Sequence, residues 1–374
     1  MGRIKSTKMS IKVLYISHLR ENSGHSKAAQ ENILALDSAG VEVVPRTIKL
    51  NQTRGYVPQR ILDLENRSSV GCTHVIQHVL PHHMEYNGSF KNIGYFVYET
   101  FGLNKQACSW YSKLGLMDEV WVANQTTALE ISHYNTRIVP HPTNIDKYNH
   151  NYDKPKIDVA DGGYKFYTIA DMNKRKNFSA LIRAFHLAFT PNEPVSLIIK
   201  TSKYGLNPKE SAEAVLSSCN EIKRAMKLYR NVEDYNQEII LTSHFTDEQI
   251  YGLHQYCDCF VNTSHGEGFS IPTFDAFGFN KQLIVPALST MYEFPKCNGV
   301  YKFDVSQDSI IGYDDTFFEI GSANESWLCP NIKSLARCMR KAYECRDSKI
   351  EPRYLEKYSR QSVGNMMKDY LERL

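Results

Sequence analysis

The hydrophobic residues of this chain fall into two alternating patterns. There are short, nearly continuous apolar runs, and longer stretches in which apolar positions recur every three or four residues. The first run, residues 11–17, reads as a buried strand. A polar loop containing Gly24 follows, and from Ser26 an amphipathic stretch (Ala29, Ile33, Leu34, Leu36) extends to Gly40 before a second strand at 41–44. Strand, loop, helix and strand in so short a span form a βαβ unit, which builds parallel sheets. Further strands are predicted at 74–79, 92–99, 119–123 and 137–139, with helical patterns at 105–116 and 126–134.

Residues 143–163 lose the pattern, being polar and rich in Asn, Asp and Gly, and read as a linker. The alternation then restarts, with strands at 165–170, 195–201, 238–241, 259–263 and 282–285 and helices at 177–189, 208–228, 247–256 and 272–277. Helical stretches at 332–345 and 353–374 close the chain. The expected fold class is α/β, with two doubly wound Rossmann-like domains facing each other across a cleft. The expected boundaries are a disordered leader at 1–10, an N-terminal domain at 11–150, a C-terminal domain at 151–355, and a helix at 356–374 that crosses back to the N-terminal domain. Open α/β sheets take ligands at the carboxyl ends of their strands, so the cleft is the expected site.

Composition narrows the function classes. The 374 residues are 42% hydrophobic and 23% charged, which argues against disorder, a collagen-like fibre or a disulfide miniprotein. Forty-four Lys and Arg against 41 Asp and Glu leave a formal charge of +3, without the global basic signature of a protein that coats nucleic acid. Nine cysteines are scattered without a CxxC pair, and Cys257 and Cys259 lie in an apolar run as buried thiols, so a reducing, cytoplasmic compartment is expected. No apolar stretch approaches the ~18 residues of a membrane span.

The segment from Asn262 to Asn280 carries the chemistry. Gly266 and Gly268 permit a tight turn with close backbone approach after a strand. Pro272 sits where a first helical turn begins, so the N–H groups of Phe269, Ser270 and Ile271 offer an anion site at a helix N-terminus. Glu267 stands on the turn and Asp275 inside the helix, placed to accept hydrogen bonds from hydroxyl groups. Sugar hydroxyls together with a diphosphate describe a nucleotide-sugar.

The run EGFSIPTFDAFGFNKQLIVP resembles the E-G-F-G-x-P-x-x-E-A signature of group 1 (family 4, GT-B fold) glycosyltransferases, with the same spacing between its two acidic residues. The resemblance implies that Glu267 contacts the donor sugar and Asp275 the nucleotide's ribose. Asp275 is one methylene shorter than the family's Glu, and Asn280 stands where the family has Gly; Asn tolerates the left-handed conformation that such a turn needs. The stretch 166–185 is similar to the opening of the family's C-terminal domain, and Lys176 matches its phosphate-binding Lys. The family's partner Arg is absent, Ala170 and Asp171 occupying that place, and Arg175 or Lys174 would substitute. Residues 245–261 resemble the segment before the acidic motif, with the loop at Phe245 facing the nucleobase, and 139–146 resembles the family's hinge.

The N-terminal half matches more loosely. Gly24-His25-Ser26 reads either as a cleft-facing turn that contacts the ligand or as an ordinary helix N-cap. Glu99, at the carboxyl end of an apolar strand, reads either as a catalytic group near the acceptor hydroxyl or as a salt-bridge partner. His82, in the stretch 77–83, is an acceptor contact or an exposed loop histidine, and no further ligand at metal-site spacing accompanies it. The resemblance implies a glycosyltransferase (hexosyl- or pentosyltransferase) acting with retention, without a metal and without a cofactor, since the nucleotide-sugar is the substrate. The expected partners are that donor and an acceptor left open among glycan, lipid-linked sugar, protein and modified nucleic acid, with a peripheral membrane contact. The rival readings are a non-catalytic nucleotide-sugar-binding module and a GT-B relative such as an epimerase or phosphorylase.

Overall fold

The computed structural model describes residues 11–49, 55–103, 109–157, 162–288, 298–313, 322–348, 350 and 355–374. The expected leader 1–10 and the beginning of the helix expected at 105–116 lie outside them. The chain divides into two compact units: unit 1 is drawn from Met1–Tyr98, Lys105–Ile145 and Tyr354–Leu374, unit 2 from Glu99–Asn104 and Asp146–Arg353.

Unit 1 contains strands β1 (Lys12–Ser17), β2 (Glu42–Thr47), β3 (His74–His78), β4 (Lys91–Phe96), β5 (Glu119–Val122) and β6 (Thr136–Ile138). They form one parallel sheet in the order β2-β1-β3-β4-β5-β6. Helices α1 (Gly24–Ser38), α2 (Gln59–Glu65), α3 (Trp110–Leu114) and α4 (Gln125–Glu130) lie along the connections. The first helix begins earlier than its apolar spacing indicates, because Ser23 is the cap and its side chain accepts from the Ser26 N–H at 3.2 Å. Ala29, Ile33, Leu34 and Leu36 are buried as that spacing requires, and the closing helix Arg360–Leu371 adds Val363, Met367 and Leu371 to the same core. Each of the Ile, Leu, Val and Met side chains contributes about 1.5–3 kcal/mol when fully buried. The closing helix and α1 meet at Gly364, where a Cβ would run into the Ala35 carbonyl oxygen, and Arg360 grips Glu31 at 2.7 and 2.8 Å.

Unit 2 contains β7 (Tyr164–Ile169), α5 (Phe178–Ala188), β8 (Val195–Lys200), α6 (Pro208–Met226), β9 (Ile239–Leu241), α7 (Asp247–Tyr256), β10 (Cys259–Val261), α8 (Ile271–Gly278), β11 (Gln282–Pro286) and β12 (Val300–Phe303). Its six strands form a second parallel sheet, ordered β12-β11-β10-β7-β8-β9. Local chemistry sets the helix starts. Asn207 with Glu210 and Thr246 with Gln249 form capping boxes on α6 and α7, and Asn177 caps α5 from a left-handed conformation (φ 51°). Asn280 takes φ 61° after α8, the conformation expected of it. An antiparallel pair, β13 (Val305–Ser309) with β14 (Ser326–Pro330), precedes α9 (Ile332–Glu344).

The domain boundaries differ from the sequence expectation in two places. Residues 99–104, expected in the N-terminal domain by chain order, cluster with unit 2, because Phe101 pairs with Ser326 of β14 through two backbone hydrogen bonds. The segment expected to be a linker from 143 is packed structure as far as 149: the main stretch of unit 2 starts at Asp146, Ile145–Asn149 is a 3-10 turn, and Lys147 in it is buried.

Gly364→Ala tests the helix contact in unit 1. Helix propensity alone favours Ala by about 1 kcal/mol, but overpacking costs about 1–3 kcal/mol. We expect a lower urea midpoint for Gly364→Ala and, because nothing lies within 4 Å of a Cβ on Gly24, almost no change for Gly24→Ala.

Candidate active site

In each sheet the first strand of the unit has neighbours reached by opposite windings. In unit 2 that switch point lies between β7 and β10, and ligands of open α/β sheets bind at such points. The loops after these two strands carry the basic and acidic residues singled out in the sequence. After β7, Asn173 accepts from the Lys176 N–H at 3.1 Å and shapes a 3-10 turn, Lys174–Lys176, before Asn177 opens α5. After β10, Asn262 accepts from the Ser264 N–H (3.0 Å) and donates to Ser270 Oγ (3.1 Å) and Thr273 Oγ1 (2.9 Å). The His265 N–H donates to the Arg175 carbonyl at 2.7 Å, and Thr263 Oγ1 donates to the Asn177 carbonyl at 3.1 Å, so the two loops are one hydrogen-bonded unit.

Glu99, Arg175, Glu267 and Lys176 form a chain of alternating charge on this frame. Arg175 Nη2 is 2.8 Å from Glu99 Oε1; its Nη1 is 3.3 Å from Glu267 Oε2 and donates to the Gly266 carbonyl at 2.7 Å. Lys176 Nζ is 2.5 Å from Glu267 Oε1, which also accepts from Ser264 Oγ at 2.6 Å. Burial alone would push the Glu267 carboxyl up, but the Lys176 ammonium, the Arg175 guanidinium and the two hydrogen bonds outweigh it and hold its pKa at about 2. Burial likewise opposes the charge of Arg175, and Glu99 and Glu267 overcome it, raising its pKa above the ordinary value. Gly266 allows the approach: a Cβ there would overlap the Glu99 carbonyl oxygen. Glu99 therefore makes the salt bridge that was one of its two sequence readings, and Arg175, not Lys174, is the arginine beside Glu267; Lys174 donates to the Ile311 carbonyl at 2.6 Å.

The other expected residues of unit 2 are arranged around this chain. Gly268 and Phe269 are buried, Phe269 against Phe274 at 5.3 Å between rings. Ser270 is the left-handed N-cap of α8 (φ 58°), and among the described residues neither its N–H nor that of Ile271 makes a hydrogen bond. Phe245, after β9, has Lys200 Nζ 5.1 Å from its ring centroid. Asp275, buried on α8, is 2.6 Å from Lys147 Nζ and accepts from the Tyr148 hydroxyl at 2.9 Å. Sequence reasoning missed Lys147 and Tyr148, since they sit in a polar stretch with no periodicity. It also missed Ser264, whose signal was present three residues before Glu267.

In unit 1 the switch point lies between β1 and β3, and histidines gather there. His25 lies in the first turn of α1, not before the helix. Its ring is 4.5 Å from that of His78 and 5.7 Å from that of His18, and His141 lies 6.2 Å from His78. Hydrogen bonds to carbonyl groups determine the tautomers. His25 Nε2–H donates to the His78 carbonyl (3.2 Å) and His18 Nδ1–H to the Ile48 carbonyl (3.1 Å). The Tyr95 hydroxyl donates to the Val139 carbonyl (2.8 Å) and so accepts from His141 Nδ1–H (2.9 Å). Burial pushes His25 down to about 4 and His141 to about 3, and His78 well below its ordinary value. His82 is apart from this group and accepts from Trp110 Nε1 at 3.0 Å.

Two Rossmann-like units, each a parallel six-stranded sheet with interleaved helices, make the fold α/β of the GT-B type. No protein-family model and no curated protein matches the sequence. Among solved structures the chain is similar to an E. coli trehalose-6-phosphate structure bound with UDP-2-fluoro glucose, with TM-score 0.62 and 9% identity over 97% of this chain and 99% of that one. It is also similar to a glycosyltransferase from Rickettsia africae (TM-score 0.62, 12% identity, 98% of each chain). A third is sucrose-phosphate synthase from Thermosynechococcus elongatus (TM-score 0.56, 13% identity, 97% of this chain and 98% of that one). At these identities the likeness is one of fold.

Two measurements follow from the geometry. Removing the charge of Asp275 leaves the Lys147 ammonium buried without its carboxylate, so Asp275→Asn should lose about 3 kcal/mol in urea unfolding. The neutral histidines of unit 1 act through pH. Unfolded, they bind protons below about 6.5, whereas folded His25 and His141 resist protonation until about 4 and 3. Stability is therefore complete above the unfolded value and falls as the pH drops through 6.5 towards 4, by up to about 1.4 kcal/mol per pH unit for each histidine. A melting-temperature series from pH 8 to 4 checks the sign, and His141→Gln should flatten its acid limb.

Proposed function

We propose that this protein is a glycosyltransferase that moves a sugar from a nucleotide-diphosphate sugar to an acceptor hydroxyl. The observation that carries the reading is the Glu99–Arg175–Glu267–Lys176 chain at the β7/β10 switch point, beside the N-terminus of α8. Arg175 and Lys176 take the diphosphate, assisted by the Ser270 and Ile271 N–H groups and the positive end of the helix dipole. Glu99 holds the Arg175 fork in place, which assigns it to orienting the diphosphate contact. Glu267, with its pKa near 2, is a carboxylate at neutral pH; it accepts hydrogen bonds from sugar hydroxyls and stabilises positive charge at the anomeric carbon, and it is no proton donor. Phe245 lies against the base and Asp275 against the ribose. The likeness in fold to a structure holding a UDP-sugar analogue supports a nucleotide-sugar donor.

In the step, the bond from the anomeric carbon to the diphosphate oxygen breaks with its electron pair going to that oxygen, where Arg175 and Lys176 stabilise the charge. The acceptor oxygen bonds to the same carbon from the side the leaving group departs, and its proton passes to the departing phosphate. Retention follows, and neither a metal nor a separate strong base takes part. Acceptor recognition falls to unit 1, with Gly24 and His25 at the start of α1.

The test uses the full chain with UDP-, GDP- and ADP-glucose. The right donor at a hundred times its Kd adds about 2.7 kcal/mol and raises the melting temperature. Slow release of nucleoside diphosphate without acceptor marks an enzyme, and binding without release marks a binding module; if none of the three stabilises the protein, the reading fails. Lys176→Ala should weaken nucleotide-sugar and nucleoside diphosphate by about tenfold or more and the bare nucleoside hardly at all. Glu267→Gln keeps the shape of the side chain but not its charge, and should lower turnover by ~10²-fold.

A further inference from the structure

Asp275 is held on one side only. The Lys147 ammonium (2.6 Å) and the Tyr148 hydroxyl (2.9 Å) both address Oδ1, and among the described residues Oδ2 makes no hydrogen bond. Two donors occupy the two lone pairs of Oδ1, so the carboxylate plane cannot turn without breaking both contacts. The donors are themselves fixed. Lys147 is buried, with its ammonium 5.1 Å from the Tyr148 ring centroid and 5.0 Å from that of Tyr251. Tyr148 lies across α8 so closely that a Cβ on Gly278 would overlap its ring, and its ring meets Phe279 edge-on at 5.0 Å. A buried lysine so placed lies against Oδ1 as its countercharge and leaves the second oxygen to face away from it.

We infer that Lys147 and Tyr148 are positioning residues for nucleotide recognition, holding Asp275 by Oδ1 so that Oδ2 alone reads the donor's ribose, at one of its two hydroxyls. The inference rests on the donor reading above and adds to it a specificity. A grip in which each hydroxyl of a vicinal diol meets its own carboxylate oxygen needs both oxygens, and here one is taken by the protein. The consequence is a site that distinguishes 2′-deoxy from 3′-deoxy nucleotides: it is strict about one position and indifferent to the other.

The experiment is calorimetric titration of the full chain with UDP, GDP and ADP, followed by the 2′-deoxy and 3′-deoxy forms of whichever binds most tightly. A hydrogen bond to an ionised group is worth about tenfold or more in affinity, so losing one hydroxyl should weaken binding by about that factor and losing the other by less than about twofold. In Lys147→Met the two deoxy forms should become nearly equivalent while the diphosphate still binds through Lys176, and Lys147→Arg should restore most of the difference. Tyr148→Phe removes the hydroxyl's hydrogen bond to Oδ1 and keeps the ring on α8; it should narrow the difference, and it carries the test should Lys147→Met fail to fold. Equal losses for the two hydroxyls in the unmodified protein overturn the inference, as does undiminished discrimination in Tyr148→Phe. Should none of the three nucleoside diphosphates bind, the donor reading falls with it, whereas binding without discrimination overturns the positioning role alone.

Discussion

Arg175 brings a cation into a nearly buried position, and the surrounding structure answers that cost. An enclosed charge is tolerated only where opposite charges and hydrogen-bond acceptors surround it. The two carboxylates that do so, Glu99 and Glu267, come from widely separated parts of the chain. Meeting at one guanidinium requires residues 99–103 to lie against the loop after β10, Gly266 to lack a side chain, and the loops after β7 and β10 to be tied through backbone hydrogen bonds. Residues 99–103 leave the strand-and-helix series that precedes them and join unit 2, held there by this ion network and by the pairing of Phe101 with Ser326.

Among the described residues of unit 2 buried ion pairs occur twice more, and their settings differ. Lys223, Glu238 and His186 form a network in which each partner is satisfied by another: Glu238 accepts from Lys223 and from His186, both at 2.6 Å. Its carboxyl, pushed up by burial, is brought below its usual pKa by His186 and Lys223. Such a closed set specifies packing and offers nothing to a ligand. Asp275 differs because among the described residues only Oδ1 is engaged, and the Glu99–Arg175–Glu267–Lys176 chain differs because its members stand at the strand-end switch point next to a helix N-terminus. Position in the sheet topology and unspent hydrogen-bonding capacity, more than burial or charge, separate a site from a brace.

Much of this was legible in the chain because it is local. The strands with continuous apolar runs, such as β1 and β7, and the helices with a cap and a 3.6-residue period, such as α6 and α7, lie where the periodicity places them. The turn chemistry at Asn280 and the proline at the second position of α8 were equally readable, since each depends on the conformational range of one residue. The strands β13 and β14 were not read: Val305-Ser-Gln-Asp-Ser309 has no apolar alternation, and its pairing partner lies across an intervening segment. The helix expected at 126–134 stops at Glu130, and Gly24 and His25 belong to α1 because the cap is Ser23.

Local pattern sets the alternation of strands and helices, the two parallel sheets, and the residue types available at the ends of β7 and β10. These follow from hydrophobic period and from backbone preference, which act over a few residues. Tertiary structure alone decided the partners: that Arg175 rather than Lys174 meets Glu267, that Glu99 turns to Arg175, and that a lysine in a featureless polar stretch pairs with Asp275. The reason is physical. A charge has no period and no preferred neighbour along the chain, and its partner is whichever opposite charge folding brings within a few ångströms once water has been excluded.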